Sequence, residues 1–163
     1  MAKRDHLPLF GVGPLYVLCV VLLTVAAVLM RNMSFLASGK VGSFKVPMLV
    51  LGIILIVLGV CLWILAAIVS KIDANIVKNQ LVTNGVYAWV RNPIYSAFMI
   101  ISTGIVLILG NLWFLVVPVL DWVFMTVLMK FTEEKWLLKQ YGKDYEEYCS
   151  RVNRCWPWFP GKR

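Results

Sequence analysis

Charged residues and histidine are scarce in this chain. Only 15% of its 163 residues are charged and one, His6, is a histidine, whereas 61% are hydrophobic and the mean hydropathy is +0.81. Soluble domains do not have such a composition. Its four cysteines show no paired spacing of the kind that binds zinc or haem, so no metal site is expected. The composition excludes a large soluble catalytic domain and predicts an all-α integral membrane protein.

Four apolar stretches, each close to the length that crosses a bilayer, predict about four transmembrane helices in a single membrane domain over residues 1–163. They cover about residues 12–30, 46–69, 94–109 and 112–131. Only Gly110 and Asn111 separate the last two, which predicts a tight helical hairpin. Gly52 and Gly59 in the second stretch are candidate points of close helix contact. Residues 71–93 form a polar loop, and residues 132–163 form a tail with amphipathic, interfacial character.

The distribution of lysine and arginine predicts the orientation. With four spans, the N-terminus, the second loop and the tail share one side and hold 13 of the 16 basic residues, against 3 on the other side. The positive-inside rule then places both termini and the second loop in the cytosol, at a prokaryotic inner membrane or the endoplasmic reticulum. The net charge of +8 is typical of attraction to lipid head groups, so membrane lipids and not nucleic acid are the expected partners.

Three polar features are candidates for chemistry. The second loop runs directly into the third span at Pro93, and the free N–H groups of that helix start favour an anionic group. Glu133 and Glu134 follow the fourth span and could hold a cationic or hydroxyl-rich ligand. Asp121 lies within the fourth span, where a carboxylate must face the interior and find a partner. Each feature also has a purely structural interpretation. Arg91 of the loop could extend its side chain to the lipid head groups, Glu133 and Glu134 could serve as favourable charges at the start of the tail helix, and Asp121 could make a structural hydrogen bond.

Together these segments resemble one family, the isoprenylcysteine carboxyl methyltransferases. The resemblance rests on three runs in the last 85 or so residues: LVTNGVYAWVRNPIY from Leu81 to Tyr95, EEKWL from Glu133, and YGKDYEEY from Tyr141. The same motifs are similar to the wider superfamily of membrane methyltransferases, which includes the phospholipid N-methyltransferases. The resemblance implies S-adenosylmethionine as cofactor, held by the second loop, the last two spans and the folded-back tail.

Residue roles follow from the resemblance alone. It implies cofactor contacts by residues of the loop, the third helix start and the tail: Asn79, Gln80, Leu81, Val82, Tyr87, Asn92, Pro93, Ile94, Tyr95, Glu133 and Tyr145. It implies catalytic roles for Glu133, Glu134 and Arg151. Asn92 stands where the family has histidine, which removes a titratable group. Met129 stands where the family has an arginine that orients the substrate carboxylate, so Met129 and its neighbour Lys130 are the candidate substrate-binding residues.

The expected activity is methyl transfer to a lipophilic substrate that enters from the bilayer. S-isoprenylcysteine carboxyl O-methylation or a related small or lipid acceptor is the first expectation, with phospholipid N-methylation as an alternative. An NADPH-dependent membrane reductase of the sterol type is a second alternative, because such enzymes share an Asn/His-Pro-x-Tyr turn. A non-enzymatic four-helix scaffold is a third.

Overall fold

The computed structural model describes residues 11–69 and 81–159. Within these ranges the chain is helical and forms six α-helices: α1 Gly13–Met30, α2 Lys45–Ile64, α3 Pro93–Ile108, α4 Val116–Phe131, α5 Glu133–Tyr141 and α6 Lys143–Arg151. A π-helical turn, Leu65–Val69, continues α2. The predicted all-α membrane fold is confirmed.

Three helical runs are long and apolar enough to cross a bilayer: Gly13–Met30, Lys45–Ala67 and Leu112–Tyr141. The last run continues through α5, whose first residues, Glu133 and Glu134, are charged. We therefore place the end of that span at Phe131, the last residue of α4. The fourth apolar helix, α3, has 16 residues and is therefore about 24 Å long, shorter than the hydrocarbon core. The described residues thus contain four apolar helical runs, of which three have full spanning length.

The fourth span was predicted to start at residue 112, and the apolar helical run does begin at Leu112, with the α-helix α4 following at Val116. The preceding turn, Leu112–Leu115, is a 3₁₀ helix capped by the side chain of Asn111, which accepts the Trp113 N–H at 3.0 Å. Pro118 explains this start. Proline has no N–H to donate, and the first turn of a helix is where that donor is not needed.

Helices α2 and α3 approach each other closely because glycines face each other. A Cβ on Gly104 would lie 2.6 Å from the Gly52 carbonyl oxygen, and a Cβ on Gly59 would lie 3.0 Å from the Ala97 carbonyl oxygen. Small residues at such positions let helix backbones pack in a membrane, where van der Waals contact drives association. Both glycines that the sequence singled out are therefore confirmed as contact points.

A buried chain of hydroxyl and carboxyl groups links three helices inside the bundle. Ser102 Oγ of α3 donates to Asp121 Oδ2 of α4 at 2.8 Å and lies 2.8 Å from Thr24 Oγ of α1. Asp121 is fully buried. The expected partner of the carboxyl group is therefore present, and it is Ser102. Each group would cost free energy if it were left unpaired in an apolar interior.

The bundle has two distinct ends. At one end the first loop meets the α3–α4 hairpin, with the Val41 N–H bonded to the Gly110 carbonyl at 3.0 Å. At the other end the start of α1 meets the start of the tail, through a hydrogen bond from Val12 N–H to Glu133. Residues 12 and 133 therefore share one end, as the predicted topology requires. Which compartment that end faces stays a prediction.

Candidate functional site

The tail folds back over the segment that leads into α3. Helices α5 and α6 are separated at Gly142, which has φ +53° and supplies the left-handed geometry of the turn. After α6 the chain runs beside the loop, with a parallel bridge between Val90 and Asn153. The bridging hydrogen bonds run from Arg91 N–H to the Asn153 carbonyl (2.8 Å), from Trp158 N–H to the Trp89 carbonyl (3.1 Å) and from the Tyr148 hydroxyl to the Tyr87 carbonyl (2.6 Å).

The start of α3 is fixed by the same tail. Pro93 is the first residue of the helix and is buried, and the preceding Asn92 donates through Nδ2 to the Arg154 carbonyl at 3.1 Å. One turn later, Ser96 Oγ donates to the Cys155 carbonyl at 2.6 Å. Asn92, which stands at the family's histidine position, therefore holds the tail against the helix start. That contact needs a donor and no titratable proton.

Glu133 and Tyr95 form a pair at this end of the bundle. The Tyr95 hydroxyl donates to Glu133 Oε1 at 2.9 Å, and the Val12 N–H donates to the same oxygen at 3.1 Å. Burial raises the pKa of the Glu133 carboxyl above its ordinary value, and these two hydrogen bonds lower it in part. Both bonds from described residues end on Oε1.

Two glycines let the start of α1 approach this pair. A Cβ on Gly11 would collide with Glu133 Oε1, and a Cβ on Gly13 would lie 2.5 Å from the Tyr95 hydroxyl oxygen. Gly11 also has φ +48°, a region that other residues rarely adopt. The segment Gly11-Val12-Gly13 is therefore part of the site. The sequence analysis missed it, and the repeated glycine before Pro14 was the signal that could have indicated it.

Glu134 is held between two arginines. Arg154 donates to both of its carboxylate oxygens, from Nε at 2.5 Å and from the terminal nitrogen at 2.8 Å, and Arg91 lies 3.2 Å from Oε1. The hydrogen bonds to Glu134 raise the pKa of the Arg154 guanidinium. This geometry clamps the tail to the loop. Arg154 was missed from the sequence because it stands outside the family motifs.

Aromatic side chains of the tail form a small core beside the clamp. Tyr145, Tyr148 and Val152 are buried, with Leu81 of the loop and Leu137 of α5 packed against them. Burial raises the pKa of both tyrosine hydroxyls, so they stay neutral donors. The apolar face of the amphipathic tail therefore packs inward against the loop.

The remaining predicted residues occupy different surroundings. Arg151 forms an ion pair with Glu147 at 3.4 Å, one turn back on α6, and the described structure gives it no contact with Glu134. Met129 is fully buried in the core, with Met99, Met125 and Tyr16. Lys130 is exposed and lines a cavity of about 300 Å³ between α5 and α6, together with Glu134 and Tyr145. Val82 and Ile94 are half-buried, and Asn79 and Gln80 lie outside the described residues.

A family model described as phospholipid methyltransferase matches residues 47–144, which include most of α2, all of α3 and α4, the loop and the start of the tail. The chain belongs to this family. The matched region contains Tyr95, Glu133 and Glu134, so the site described above lies largely within it.

Curated relatives carry the name that the motifs suggested. The protein-S-isoprenylcysteine O-methyltransferase of Schizosaccharomyces pombe is 38% identical over 86 residues, which cover 49% of this chain and 34% of that protein. The enzyme of the same name from Homo sapiens is 30% identical over 125 residues, covering 69% of this chain and 42% of that protein. Protein-S-isoprenylcysteine O-methyltransferase B of Arabidopsis thaliana is 36% identical over 80 residues, which cover 45% of this chain and 38% of that protein.

The chain therefore spans well under half the length of these relatives. No solved structure matches it. The resemblance to a family of membrane methyltransferases is confirmed, because the phospholipid methyltransferase model covers more than half of the chain.

Proposed function

We propose that this chain is an S-adenosylmethionine-dependent methyltransferase that acts on a lipophilic acceptor at the membrane. The observation that carries the proposal is the Tyr95–Glu133 pair, held at the point where the loop, the start of α3 and the tail converge. The family match and the names of the relatives support the same activity. The acceptor is, in our proposal, the carboxylate of an S-isoprenylcysteine or a related lipid.

The donor set at this site suits the cofactor. S-adenosylmethionine carries an ammonium group, a carboxylate, ribose hydroxyls and an adenine ring. The Glu133 carboxylate can accept from the ammonium or the hydroxyls, and the α3 N-terminus favours a carboxylate. When bound, the cofactor supplies a methyl group on a positively charged sulfur.

The residues of this chain then align the reactants and keep water out. Tyr95 and Val12 fix the Glu133 carboxylate, and the Glu134–Arg154 clamp holds the tail over the loop. A carboxylate acceptor needs no general base. An amine acceptor must lose a proton, and in this proposal Glu133, whose pKa is raised by burial, accepts it.

A phospholipid amine is the second candidate acceptor. Met129 supports it, because a buried thioether replaces the charged group that would pair with a substrate carboxylate. The matching family, phospholipid methyltransferase, points in the same direction. Assays with a prenyl-cysteine analogue and with phosphatidylethanolamine, each with labelled methyl donor, separate the two acceptors.

Calorimetric binding tests the cofactor assignment directly. We expect S-adenosylhomocysteine to bind the detergent-purified protein and NADPH to give no heat. Glu133→Gln and Tyr95→Phe should each weaken binding about tenfold, a loss of roughly 1.4 kcal/mol for one hydrogen-bonded contact. Tyr141→Phe removes a hydroxyl from the edge of the tail and is the matched control. Binding of NADPH without S-adenosylhomocysteine would favour the reductase alternative, and silence for both would favour a scaffold.

A further inference from the structure

A second cavity lies between the membrane-facing side of α4 and the returning tail. It has a volume of about 380 Å³ and shares no residue with the Tyr95–Glu133 pair. Its lining combines aromatic, small polar and basic side chains: Arg91, Trp122, Thr126, Asn153, Arg154 and Trp156, with Cys149, Val152 and Cys155. Trp122 and Trp156 are both more than two-fifths exposed. We call this space the α4–tail groove.

The charge of the groove is positive. Arg91 and Arg154 line it, and no acidic residue does. Glu134 pairs with both guanidiniums from the other side, so two positive charges face one negative charge. Burial raises the pKa of the Cys155 thiol, which keeps that group neutral. One positive charge in the groove is therefore left without a counter-charge among the described residues.

Arg91 indicates where that counter-charge belongs. Its side chain is only 9% exposed, and its Nε atom is buried without a hydrogen-bond partner in residues 11–69 and 81–159. Its Nη1 group is already used, by Glu134 and by the sulfur of Cys149. A buried guanidinium donor without an acceptor costs free energy, and a bound anion would supply the missing acceptor. Arginine binds phosphate and carboxylate groups through several donors at once.

The shape of the groove indicates what carries the anion. Thr126 and Trp122 are one turn apart on α4 and lie inside the span, whereas Asn153 and Trp156 belong to the tail. The groove therefore runs from the basic end of the bundle into the depth of the apolar span. Tryptophan is enriched where hydrocarbon meets lipid head groups. A molecule with an anionic head and a hydrocarbon chain matches both ends.

We propose that the α4–tail groove binds an anionic phospholipid, with its phosphate at Arg91 and Arg154 and one acyl chain along Trp122 and Thr126. The proposal rests on the groove and not on methyl transfer, so it stands or fails independently of the proposed function. A bound lipid here would also hold the tail against α4, because both surfaces contact it. Arg154 also belongs to the Glu134–Arg154 clamp, so lipid binding would stabilise the packing of the tail against the loop.

Competition binding on the purified protein tests this. A fluorescent phosphatidylglycerol in detergent micelles is displaced by unlabelled phosphatidylglycerol, by phosphatidylcholine or by inorganic phosphate. We expect phosphatidylglycerol to compete at least about tenfold better than phosphatidylcholine, and inorganic phosphate to compete only far above the lipid concentration. Arg154→Gln should reduce the preference for phosphatidylglycerol to within about threefold. Lys143→Gln, which removes a positive charge from the same tail but outside the groove, should retain it.

Thr126→Phe is the second variant, because it fills the groove without touching an ion pair. It should weaken the binding of both lipids, and this result can be interpreted even if Arg154→Gln lowers the melting temperature. Equal competition by the two lipids in the wild-type protein would overturn the proposal, as would an equal loss of preference in Lys143→Gln and Arg154→Gln. If inorganic phosphate displaced the fluorescent lipid at concentrations similar to those of the unlabelled lipid, the groove would bind a free anion and the lipid proposal would be wrong.

Discussion

Replacing Gly13 by alanine tests how closely α1 is fitted to the site. The new Cβ would lie 2.5 Å from the Tyr95 hydroxyl oxygen and 2.9 Å from Cε1 of its ring. The ring cannot simply retreat, because Tyr16 packs against it edge-on with the centroids 5.5 Å apart. Overpacking of this kind costs about 1–3 kcal/mol. Alanine is the better helix former by up to about 1 kcal/mol, so a net loss of stability measures the clash.

The same clash should reach the proposed cofactor site. Displacing the Tyr95 ring breaks or lengthens its 2.9 Å hydrogen bond to Glu133. A hydrogen bond to a charged group is worth about 1.5–3 kcal/mol, so S-adenosylhomocysteine binding should weaken by about tenfold or more. Thermal unfolding in detergent and titration calorimetry measure the two effects. Gly42→Ala is the control, because a Cβ there meets no atom within 4 Å.

The outcomes separate the steps of this reasoning. If Gly13→Ala behaves like Gly42→Ala in both measurements, the close approach of α1 to Tyr95 is wrong. If Gly13→Ala unfolds earlier but binds S-adenosylhomocysteine normally, the contact is real and Tyr95 lies outside the cofactor site.

Three further perturbations address the bundle and the carboxyl group. Gly104→Ala would place a Cβ 2.6 Å from the Gly52 carbonyl, a backbone atom, and should lower the free energy of unfolding by about 1–3 kcal/mol, as seen by thermal unfolding against Gly42→Ala. Ser102→Ala removes the donor to Asp121 and should cost about 1–3 kcal/mol, whereas Thr103→Val, which loses only a bond to its own helix, should cost less; equal losses would contradict the buried network. The raised pKa of Glu133 means that the folded state holds this proton more tightly than the unfolded chain does, so its contribution to stability falls as pH rises above the ordinary value of 4.5. Glu133→Gln should remove this decrease in the free energy of unfolding when it is measured as a function of pH. If the pH dependence of the variant equals that of the wild-type protein, the Glu133 carboxyl is not the titrating group.

Much of this fold follows from patterns that a sequence displays directly. Apolar runs fix the four bundle helices to within a few residues, and Gly52 and Gly59 mark the contact with α3 because few other reasons place glycine inside a span. At the start of the last span, the side chain of Asn111 and Pro118 set where the 3₁₀ turn gives way to α4. Hydropathy does not detect such local hydrogen bonding.

The residues of the candidate site could be predicted from the sequence only in part. Family motifs identified Tyr95, Glu133 and Glu134, and the structure brings these residues to one end of the bundle. Motifs did not identify Arg154 or the Gly11–Gly13 segment, because both act through contacts between distant parts of the chain. The partner of Glu133 lies 121 positions away at Val12. A single sequence does not reveal which of several arginines near the C-terminus reaches a given carboxylate.

Arg151 and Arg154 illustrate the difference in physical terms. Both follow the tyrosines of the tail, and the resemblance implied a role for Arg151 and not for Arg154. Arg151 is the last residue of α6, so its side chain reaches one turn back to Glu147 on the same helix. Arg154 lies beyond the helix end, where the chain has turned to run beside Val90. That turn directs Arg154 to Glu134, and it is stabilised by the Asn153 side chain, whose oxygen accepts the N–H groups of Cys155 and Trp156. The clamp on Glu134 therefore depends on how the chain leaves α6, which is a property of Asn153 and not of the motif.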